Sequence, residues 1–536
     1  MSEVQGRSQT SGPGSLARGL AGFLFVASLL VVLFAGTFPF DFAVPAQSTA
    51  SREVRQTFDW QWVQYDPHYI DRIENLLFLM PFGFALAAVI PGGRHRAIWQ
   101  VVAALLASAL LSITIEVLQT FVSFRDPSLM DVWCNTVGGA IGAFVYVLIG
   151  DRLLKAAANV LLHLRPLARP SILGSLLLLY ALFQLAGPLA LHHAGDMSVW
   201  DKQMPMLVGN ELGGDRGWNG SISDIVLADR AASDDEIMAL SRGADPGTIF
   251  EKSLLAHYSL HGKAPYPDQT GNQPPLDWAG EPSLVTAEDA VHVSPQNWLK
   301  TATPVENSIV RIGRASQFTL ATTAATFATH QEGLAPWRLV GISAGVSARN
   351  VQIGQDGPDL VVRVRTAVRS MPDLYIRDVF ADLSTHNIAV TQKEGVVIIY
   401  VDGAERGRCE ITPEAKQIWR LYPRGGFRLR LERYGFRSYA LIYRLLVMIP
   451  FAALLGAMLM TSRWSAGVKA VLAVVVIVSF VLALESILGE QSASGFQKKN
   501  LWISLAIGFG VLGALTLWRE SNRGRDGARG GAGGGG

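Results

Sequence analysis

Cysteine and charged residues are scarce in this chain, and each scarcity excludes a class of protein. Only two of the 536 residues are cysteine, Cys134 in an apolar stretch and Cys409 in a polar one, which excludes a disulfide framework and predicts two free thiols. Charged residues make up 17% of the chain and leave a net charge of +2, so no basic surface for nucleic acid is expected.

The chain also lacks the motifs that mark most catalytic and cofactor sites. It has no paired carboxylates at glycosidase-like motifs, no nucleophile elbow and no phosphate-binding loop. His68 and His95 have no ligand-spaced companions and are interpreted as solvated loop residues. We therefore predict no cofactor, no metal site and no catalytic residue in the polar part of the chain.

Long hydrophobic runs are what the chain has in abundance. Hydrophobic residues make up 49% of it, and its mean hydropathy is +0.27. The first run is followed by TFPFDF rather than by a small-residue cleavage site, so we expect it to stay attached as a span. Eight runs have membrane-spanning length, near residues 18–36, 73–91, 97–118, 132–150, 171–190, 439–460, 467–488 and 501–518. The sequence predicts a multi-pass α-helical membrane protein whose first partner is the lipid bilayer.

The runs divide the chain into membrane blocks and one large polar region. The predicted parts are a disordered tail (1–17), a four-span membrane block (18–150), a fifth span (171–190), a polar region (192–436), a second block of three spans (439–518) and a Gly/Arg-rich tail (519–536). Basic residues of the short loops accumulate on one side of this arrangement, with Lys498 and Lys499 as exceptions. That side is predicted to be cytoplasmic, with both termini there and the polar region outside.

Six polar residues lie at or near the ends of the first spans, where anchoring in lipid does not require them. They are Asn75, Glu116, Gln119, Arg125, Asp131 and Asn135. In the predicted topology all six meet at the outer membrane face. Because the helix dipole disfavours an anion in the last turn, Glu116 is expected to pair with Arg125. The set is either a pocket for an amphiphilic or glycan-bearing molecule or a network that holds the short spans together.

These residues give the chain a resemblance to the VanZ-like family of bacterial membrane proteins. The shared pattern is Asn75 before Pro81 and Gly83, then Ile115, Glu116 and Gln119, an arginine, and finally Asp131, Asn135 and Gly138. The resemblance implies a bacterial cytoplasmic membrane and a role in the cell envelope, with an envelope glycan or a lipid-linked precursor as partner. The family's founding member is linked to low-level resistance to the glycopeptide teicoplanin.

The two membrane blocks can be aligned at one offset of 369 residues. Pro81 then matches Pro450, and Glu116 matches Glu485. Arg94, Trp133 and Gly139 match Arg463, Trp502 and Gly508 in the same register. The alignment predicts a duplication into two parallel repeats about an axis normal to the membrane. Most of the polar pattern is lost in the second copy, so it is interpreted as a degenerate scaffold half.

The polar region contains many short alternating runs bounded by Gly, Asp and Pro, which is typical of an antiparallel β-sandwich. Its segment 206–237 resembles the closing strands of concanavalin A-like (laminin-G-like) domains, LLAHYSLHG resembles their opening, and IIYVDG resembles the hairpin before the close. Because the closing piece comes first, the resemblance implies a circularly permuted jelly roll. The alternative is a truncated domain followed by a second, incomplete one.

The resemblance to these sandwiches implies carbohydrate binding, for which tryptophan faces are suited. The candidates are Trp218, Trp298, Trp337 and Trp419, with burial in the core as the alternative. Arg349, Arg363, Arg365, Arg369 and Arg377 either meet an anionic polymer or lie on the wet face of a strand. Asp268 either joins a calcium site or stabilises an ordinary turn.

Two functions remain open at this point. The first is a non-enzymatic envelope protein in which a VanZ-like membrane block displays a glycan-binding or protein-binding sandwich. The second is a membrane-embedded enzyme or transporter for a lipid-linked envelope precursor, in which Glu116 and Asp131 serve as acid/base or ion-coupling groups.

Overall fold

The computed structural model divides the protein into two compact units, Met1–Ile172 and Leu173–Gly536, and we describe each by itself. It describes residues 13–38, 40, 69–90, 96–119, 121–122, 128–164, 168–190, 195–280, 286–287, 289–331, 335–345, 348–365, 372–420, 428–430 and 437–531. Arg125, Arg94 and His95 lie outside these ranges.

The first unit is a bundle of helices. They are α1 (Pro13–Thr37), α2 (Tyr69–Phe78), α3 (Met80–Val89), α4 (Arg96–Gln119), α5 (Leu129–Val145), a π-helical turn (Tyr146–Gly150) and α6 (Asp151–Leu164). Helix α1 starts within the tail predicted for residues 1–17, because a proline at position 13 suits the first helical turn.

A break between α2 and α3 interrupts the second span at Leu79. The cause is Pro81, which has no N–H to donate and whose ring clashes with the carbonyl four residues earlier. The helix resumes at once, since the backbone N–H of Gly83 donates to the carbonyl of Leu79 at 3.0 Å. The broken span therefore presents backbone carbonyls to its neighbours.

Glycines of α5 pack directly against this broken span. A Cβ atom added to Gly138 would overlap the carbonyl oxygen of Leu76, and one added to Gly142 would overlap that of Met80. A Cβ added to Gly83 would overlap the backbone of Gly139 in the same way. Small residues allow such close helix packing in a membrane, where no hydrophobic effect drives helices together.

The second unit contains the remaining helices. They are α7 (Pro170–Leu189), α8 (Asp234–Ser241), α9 (Pro246–Phe250), α10 (Glu306–Ala315), α11 (Pro413–Arg420), α12 (Arg437–Thr461), α13 (Ala466–Glu490) and α14 (Lys498–Gly531). Helix α14 continues past the predicted end of its span at 518, since no proline interrupts it.

Eight segments within the described residues are long and apolar enough to cross a membrane, as predicted. They are Leu16–Thr37, Arg72–Val89, Ala97–Gln119, Leu129–His163, Pro170–Leu189, Ser438–Thr461, Ala466–Glu490 and Lys498–Leu517. The fourth exceeds its predicted bounds of 132–150, because α5 continues through the π-helical turn into α6. The starts of α1 and α6 share an apolar cluster that includes Ala17, Ala21, Leu154 and Ala158.

Two eight-stranded sheets form the polar region. Their strands are β1 (Met206–Val208), β2 (Gly220–Ala228), β3 (Leu254–Ser259), β4 (Leu276–Trp278), β5 (Thr286–Ala287), β6 (Ala290–Val293), β7 (Leu299–Thr301), β8 (Gln317–Thr326), β9 (Trp337–Ser343), β10 (Arg349–Asp356), β11 (Asp359–Val364), β12 (Asp373–Ile376), β13 (Thr385–Lys393), β14 (Val396–Val401), β15 (Ala404–Glu410) and β16 (Arg428–Arg430). The strand pairs are antiparallel apart from β12 with β16.

The two earliest strands lie inside the sheets rather than at their edges. The first sheet has the order β16-β12-β11-β10-β9-β1-β7-β4, and the second has β15-β14-β13-β8-β2-β6-β5 with β3 also paired to β2. Strand β1 therefore lies between β9 and β7, and β2 pairs along its length with β8. This confirms the expectation that the segment 206–227 completes sheets built from later strands.

The sandwich contacts the ends of the helices in its own unit. Glu410, the last residue of β15, accepts hydrogen bonds from the Ser492 hydroxyl at 2.9 Å and from the Ser494 backbone N–H at 3.1 Å, both between α13 and α14. Trp419 of α11 packs edge to face on Tyr439 of α12, with ring centroids 5.9 Å apart. The sandwich thus lies at the end where α13 finishes and where α12 and α14 begin.

Candidate functional site

The predicted polar residues of the first unit gather at one end of its bundle. This is the end where α1 and α4 finish and where α2 and α5 begin. The Asn75 amide on α2 donates to Asp131 Oδ1 on α5 at 2.6 Å. The Gln119 amide on α4 donates to the carbonyl of Gly36 on α1 at 2.8 Å. Both bonds join helices that the chain connects only through long segments.

Glu116 and Asn135 also bond within this end of the bundle. Glu116 is 7% exposed, and its Oε2 accepts a hydrogen bond from the Ser128 backbone N–H, just before α5, at 2.9 Å. The Asn135 amide donates to the Ser112 hydroxyl on α4 at 3.0 Å. The predicted ion pair between Glu116 and Arg125 lies outside the described residues and stays a prediction.

These bonds favour the interpretation of the set as a helix-joining network. Each described member bonds to another helix or to the segment that starts the next one, as a packing role requires. One acceptor differs, because the buried Asn135 Oδ1 has no hydrogen-bond partner within the described part of the chain. It is the atom at which a donor group would be expected to bind.

A second polar cluster occupies the corresponding end of the second unit. Arg444 on α12 makes a bidentate pair with Glu485 on α13, with N–O distances of 2.9 and 2.6 Å. Its Nη1 also donates to Glu414 Oε1 on α11 at 3.0 Å. Ser504 on α14 donates to Glu485 Oε1 at 2.7 Å. Arg444 is only 1% exposed, so the charges neutralise one another out of contact with water.

Sequence reasoning missed the role of Arg444 and Glu414. Arg444 was interpreted only as a lost copy of Asn75, although an arginine seven residues into a span is itself a signal of a buried partner. Glu414 had no such signal, since it lies in a short helix of the polar region. Nothing in a linear sequence indicates that its carboxylate reaches a membrane helix.

A groove of about 470 Å³ lies on the second sheet, beside helix α8. Val226, Ala321 and Ala389 line it on strands β2, β8 and β13, and Ile237 and Leu240 line it from α8. The alanines leave room between the helix and the strands. The volume is in the range of small-molecule pockets.

Polar groups cross this groove from strand to strand. Ser259, Asp224, Thr323 and Asn387 are successive cross-strand neighbours on β3, β2, β8 and β13. The Thr323 hydroxyl donates to Asn387 Oδ1 at 2.8 Å. Asp224 Oδ1 lies 3.0 Å from His257 Nε2, and the Asp224 side chain is 37% exposed. The hydrogen bond to Asp224 raises the pKa of His257, although burial opposes it.

The four candidate tryptophans are all buried. Trp218 and Trp419 are fully buried, Trp337 is 5% exposed and Trp298 is 7% exposed. Trp218 also donates its indole N–H to Gln355 Oε1 at 2.6 Å inside the sandwich. This burial favours the core alternative, because stacking on a sugar needs an exposed ring face.

Asp268 behaves as a turn residue. Its carboxylate accepts hydrogen bonds from the backbone N–H groups of His257, Thr270, Asn272 and Gln273 at 2.8 to 3.2 Å. The carboxylate oxygens are thus occupied by the chain itself, which favours the turn over the calcium alternative. No cluster of three or more metal-ligating side chains occurs within the described ranges. Cys134 and Cys409 are both free thiols, as predicted.

Comparison with known proteins identifies similarity in the first unit. Residues 23–150 match the family model described as VanZ/LLP1. No curated protein and no solved structure matches the chain. The matched residues contain the whole of the first polar network, and the second unit lies outside them. The chain is thus a membrane protein with a VanZ-like first unit.

Proposed function

We propose that this protein is a non-enzymatic component of the bacterial cell envelope, in which a VanZ-like membrane region holds a glycan-binding sandwich outside the membrane. The observation that carries the proposal is the position of the groove relative to the helix ends. The membrane helices supply the anchor, and the groove supplies the contact.

The groove faces away from the membrane helices. Val396 pairs with Glu410, which bonds to the connection between α13 and α14, so this end of β14 lies next to the helix ends. Asn387 and Gly403 line the groove at the opposite end of the same hairpins. A strand rises about 3.3 Å per residue, which puts the groove about 20 Å farther from the membrane.

The chemistry of the groove fits a sugar. An aliphatic floor crossed by a carboxylate, hydroxyls and an amide offers both apolar contact and several hydrogen bonds to a polyhydroxylated ring. The exposed carboxylate of Asp224 can accept bonds from two neighbouring sugar hydroxyls. The groove also lacks aromatic rings among its lining residues, so affinity for one sugar unit would be modest.

Both evolutionary proposals from the sequence also gain support. Gly139 meets Ser108 in the first unit, and Gly508 meets Ile477 in the second, which are the positions 369 residues later. Helix α5 lies beside α3 and α4, as α14 lies beside α12 and α13. We infer a duplication with parallel repeats. The internal positions of β1 and β2 support a circularly permuted concanavalin A-like sandwich in the same way.

Binding by the full-length protein in lipid nanodiscs tests the proposal. Purified cell-wall glycan is titrated against the protein with Asp224→Asn and Asn387→Ala in the groove and Asp277→Asn as a control. Asp277 is an exposed carboxylate on the other sheet. We expect saturable binding that both groove variants weaken at least about tenfold and the control leaves unchanged. Absence of saturable binding, or equal binding by all variants, contradicts the proposal.

Orientation is tested separately in intact cells. An Asp277→Cys variant is treated with a membrane-impermeant maleimide before lysis. We expect labelling in intact cells, because the sandwich is proposed to be outside. Cys409 is buried and serves as an internal background. Labelling only after lysis would place the sandwich in the cytoplasm.

The second candidate function is action on a lipid-linked envelope precursor at the first polar network. It is favoured by one observation, the buried Asn135 Oδ1 that lacks a hydrogen-bond partner in the described residues. Glu116→Ala separates the two candidates when protein abundance and teicoplanin susceptibility are both measured. Lost abundance is expected if the network is structural. A changed susceptibility at normal abundance would favour chemistry at Glu116.

A further inference from the structure

A group of buried charged side chains lies on one face of the first sheet. Gly341, Gln352 and Arg363 are cross-strand neighbours on β9, β10 and β11, so their side chains share this face. Arg363 is 6% exposed and Gln352 is 2% exposed. The alternative that placed Arg363 on the wet face of a strand is therefore wrong. The strand alternation was identified correctly, but both faces of this sheet are covered.

One carboxylate on this face serves two arginines. Asp373 on β12 makes a bidentate pair with Arg363. Arg349 Nη2 lies 3.9 Å from Asp373 Oδ1. The Arg363 Nη1 group also donates to Gln352 Oε1 at 3.4 Å.

Arg338 on β9 is less well matched. Its Nε lies 3.5 Å from Glu211 Oε2 without hydrogen-bond geometry. The other oxygen of Glu211 accepts from the Ser343 hydroxyl at 2.9 Å and from the Leu212 backbone N–H at 3.2 Å. Arg338 is 2% exposed, and neither its Nε nor its Nη1 has a hydrogen-bond partner within the described residues.

Positive charge exceeds negative charge at this place. Arg216, Arg338, Arg349 and Arg363 interact electrostatically with one another, against the two carboxylates of Glu211 and Asp373 in the described part of the chain. Burial, with repulsion from Arg363, lowers the pKa of Arg338 to about 9 and that of Arg349 to about 10. Both values exceed 7, so both groups stay charged at neutral pH. A buried charge is costly unless it is paired and hydrogen bonded.

We propose that Arg338, together with Arg349 and Arg363, binds an oxyanion, namely the carboxylate or phosphate group of an acidic sugar. We call these three residues the arginine site. An oxyanion accepts the hydrogen bonds that Arg338 Nε and Nη1 do not make and offsets the excess positive charge. Guanidinium groups form their strongest hydrogen bonds with carboxylate and phosphate oxygens.

The arginine site is separate from the sugar groove. The groove belongs to the sheet of β2, β8 and β13, and the arginine site belongs to the sheet of β9, β10 and β11. The opening is beside Arg349, whose side chain is 16% exposed, compared with 3% for Arg338. A ligand would therefore enter past Arg349 and reach Arg338 last. The site adds charge selection to a sandwich that otherwise presents a neutral polar groove.

Calorimetric titration of the full-length protein in nanodiscs tests the site. The probes are glucuronate, glucose 1-phosphate, inorganic phosphate and uncharged glucose at constant ionic strength. The test variant is Arg338→Lys, which keeps the charge but loses the planar donor set. The control variant is Arg408→Lys, since Arg408 is 52% exposed and pairs with Glu405 on the other sheet. Thermal unfolding of each variant verifies that it is folded.

We expect an anionic probe to bind saturably and glucose to bind at least about tenfold more weakly at this site. Arg338→Lys should weaken the anion about tenfold, and Arg408→Lys should leave it unchanged. Tighter binding of glucuronate would identify a carboxylate ligand, and tighter binding of either phosphate would identify a phosphate ligand. If Arg338→Lys does not fold, Arg349→Lys at the opening provides the same comparison.

Equal weakening by both variants would show a general salt effect and overturn the proposal, as would the absence of saturable anion binding. The outcome is independent of the glycan test. Probe binding that depends on Arg338, without binding of cell-wall glycan, supports the arginine site and contradicts the proposed function. Glycan binding that depends on Asp224, without any effect of Arg338→Lys, has the reverse meaning.

Discussion

The two membrane units solve the same problem with different chemistry. In the first, Asn75 bonds to Asp131 and glycines bring α5 against the backbone of the broken span. In the second, an arginine at the position equivalent to Asn75 makes a bidentate ion pair with Glu485. Both clusters join three helices at one end of a bundle, one through short polar groups and close backbones, the other through a long charged side chain.

The comparison shows how side-chain length and backbone distance are exchanged. Gly138 and Gly142 touch backbone carbonyls, whereas Ile507 and Val511 occupy the positions 369 residues later. Larger residues separate the helices, and a guanidinium group can span the wider gap. A charged pair needs complete neutralisation to be tolerated there, and Glu414 and Ser504 contribute the further bonds to it.

The largest effect is expected from Arg444→Met. Removing the guanidinium leaves Glu485 and Glu414 buried without their cation, which should lower the free energy of unfolding by about 3–5 kcal/mol. Asn75→Ala in the first unit removes one neutral donor and should cost about 1 kcal/mol. Thermal unfolding in detergent, followed by circular dichroism, measures both.

The double variant Arg444→Met with Glu485→Gln is the control for this comparison. It removes one uncompensated carboxylate and should recover part of the lost stability. A loss for Arg444→Met no larger than that for Asn75→Ala would show that the two clusters are energetically alike, which contradicts the contrast drawn between the two units.

A smaller effect is expected from alanine at the glycine contacts. Gly138→Ala must displace the carbonyl of Leu76 and should destabilise the protein by about 1–3 kcal/mol. Gly508→Ala in the second unit meets the Met448 methyl group at 3.0 Å and the Ile477 side chain at 3.3 Å, which can move. It should cost less than about 1 kcal/mol. Equal losses in the two units would mean that close backbone packing is not particular to the first.

The smallest effect concerns Lys416, on the helix that brings Glu414 to the second unit. Burial lowers the pKa of Lys416 to about 8 from its usual 10.5. The unfolded chain therefore binds more protons between pH 8 and 10.5, so stability should rise across this interval. Lys416→Met should flatten the rise and stabilise the protein at neutral pH. Unfolding midpoints between pH 7 and 10 measure it, and an unchanged slope would contradict the shift.

The membrane spans could be predicted from sequence because bilayer thickness fixes the length of an apolar run. The polar residues were found for a related reason, since such groups are costly in lipid and are rarely present without a role. Their partners were less accessible. The bond from Gln119 to the Gly36 carbonyl joins residues from distant parts of the chain and involves a backbone atom that carries no sequence signal.

The sandwich shows the same limit from the opposite side. Alternation identified the strands, and the pairing of β1 and β2 with later strands followed from counting open edges. Alternation could not indicate whether Arg363 faces water, because that depends on what covers the sheet. The tryptophans were chosen by residue type, and their burial reflects the size of their rings, which fill the interior.

The central position of β2 has a consequence for how the protein is made. Its main partner β8 is synthesised only after residues 229–316. At ribosomal rates of about 5–20 residues per second, the strand waits roughly 5–20 s for that partner while α7 is already available to the membrane. During that interval the edge of β2 that will meet β8 is open to other chains. We therefore expect biosynthesis of this protein to depend on chaperones at the side of the membrane where the sandwich emerges.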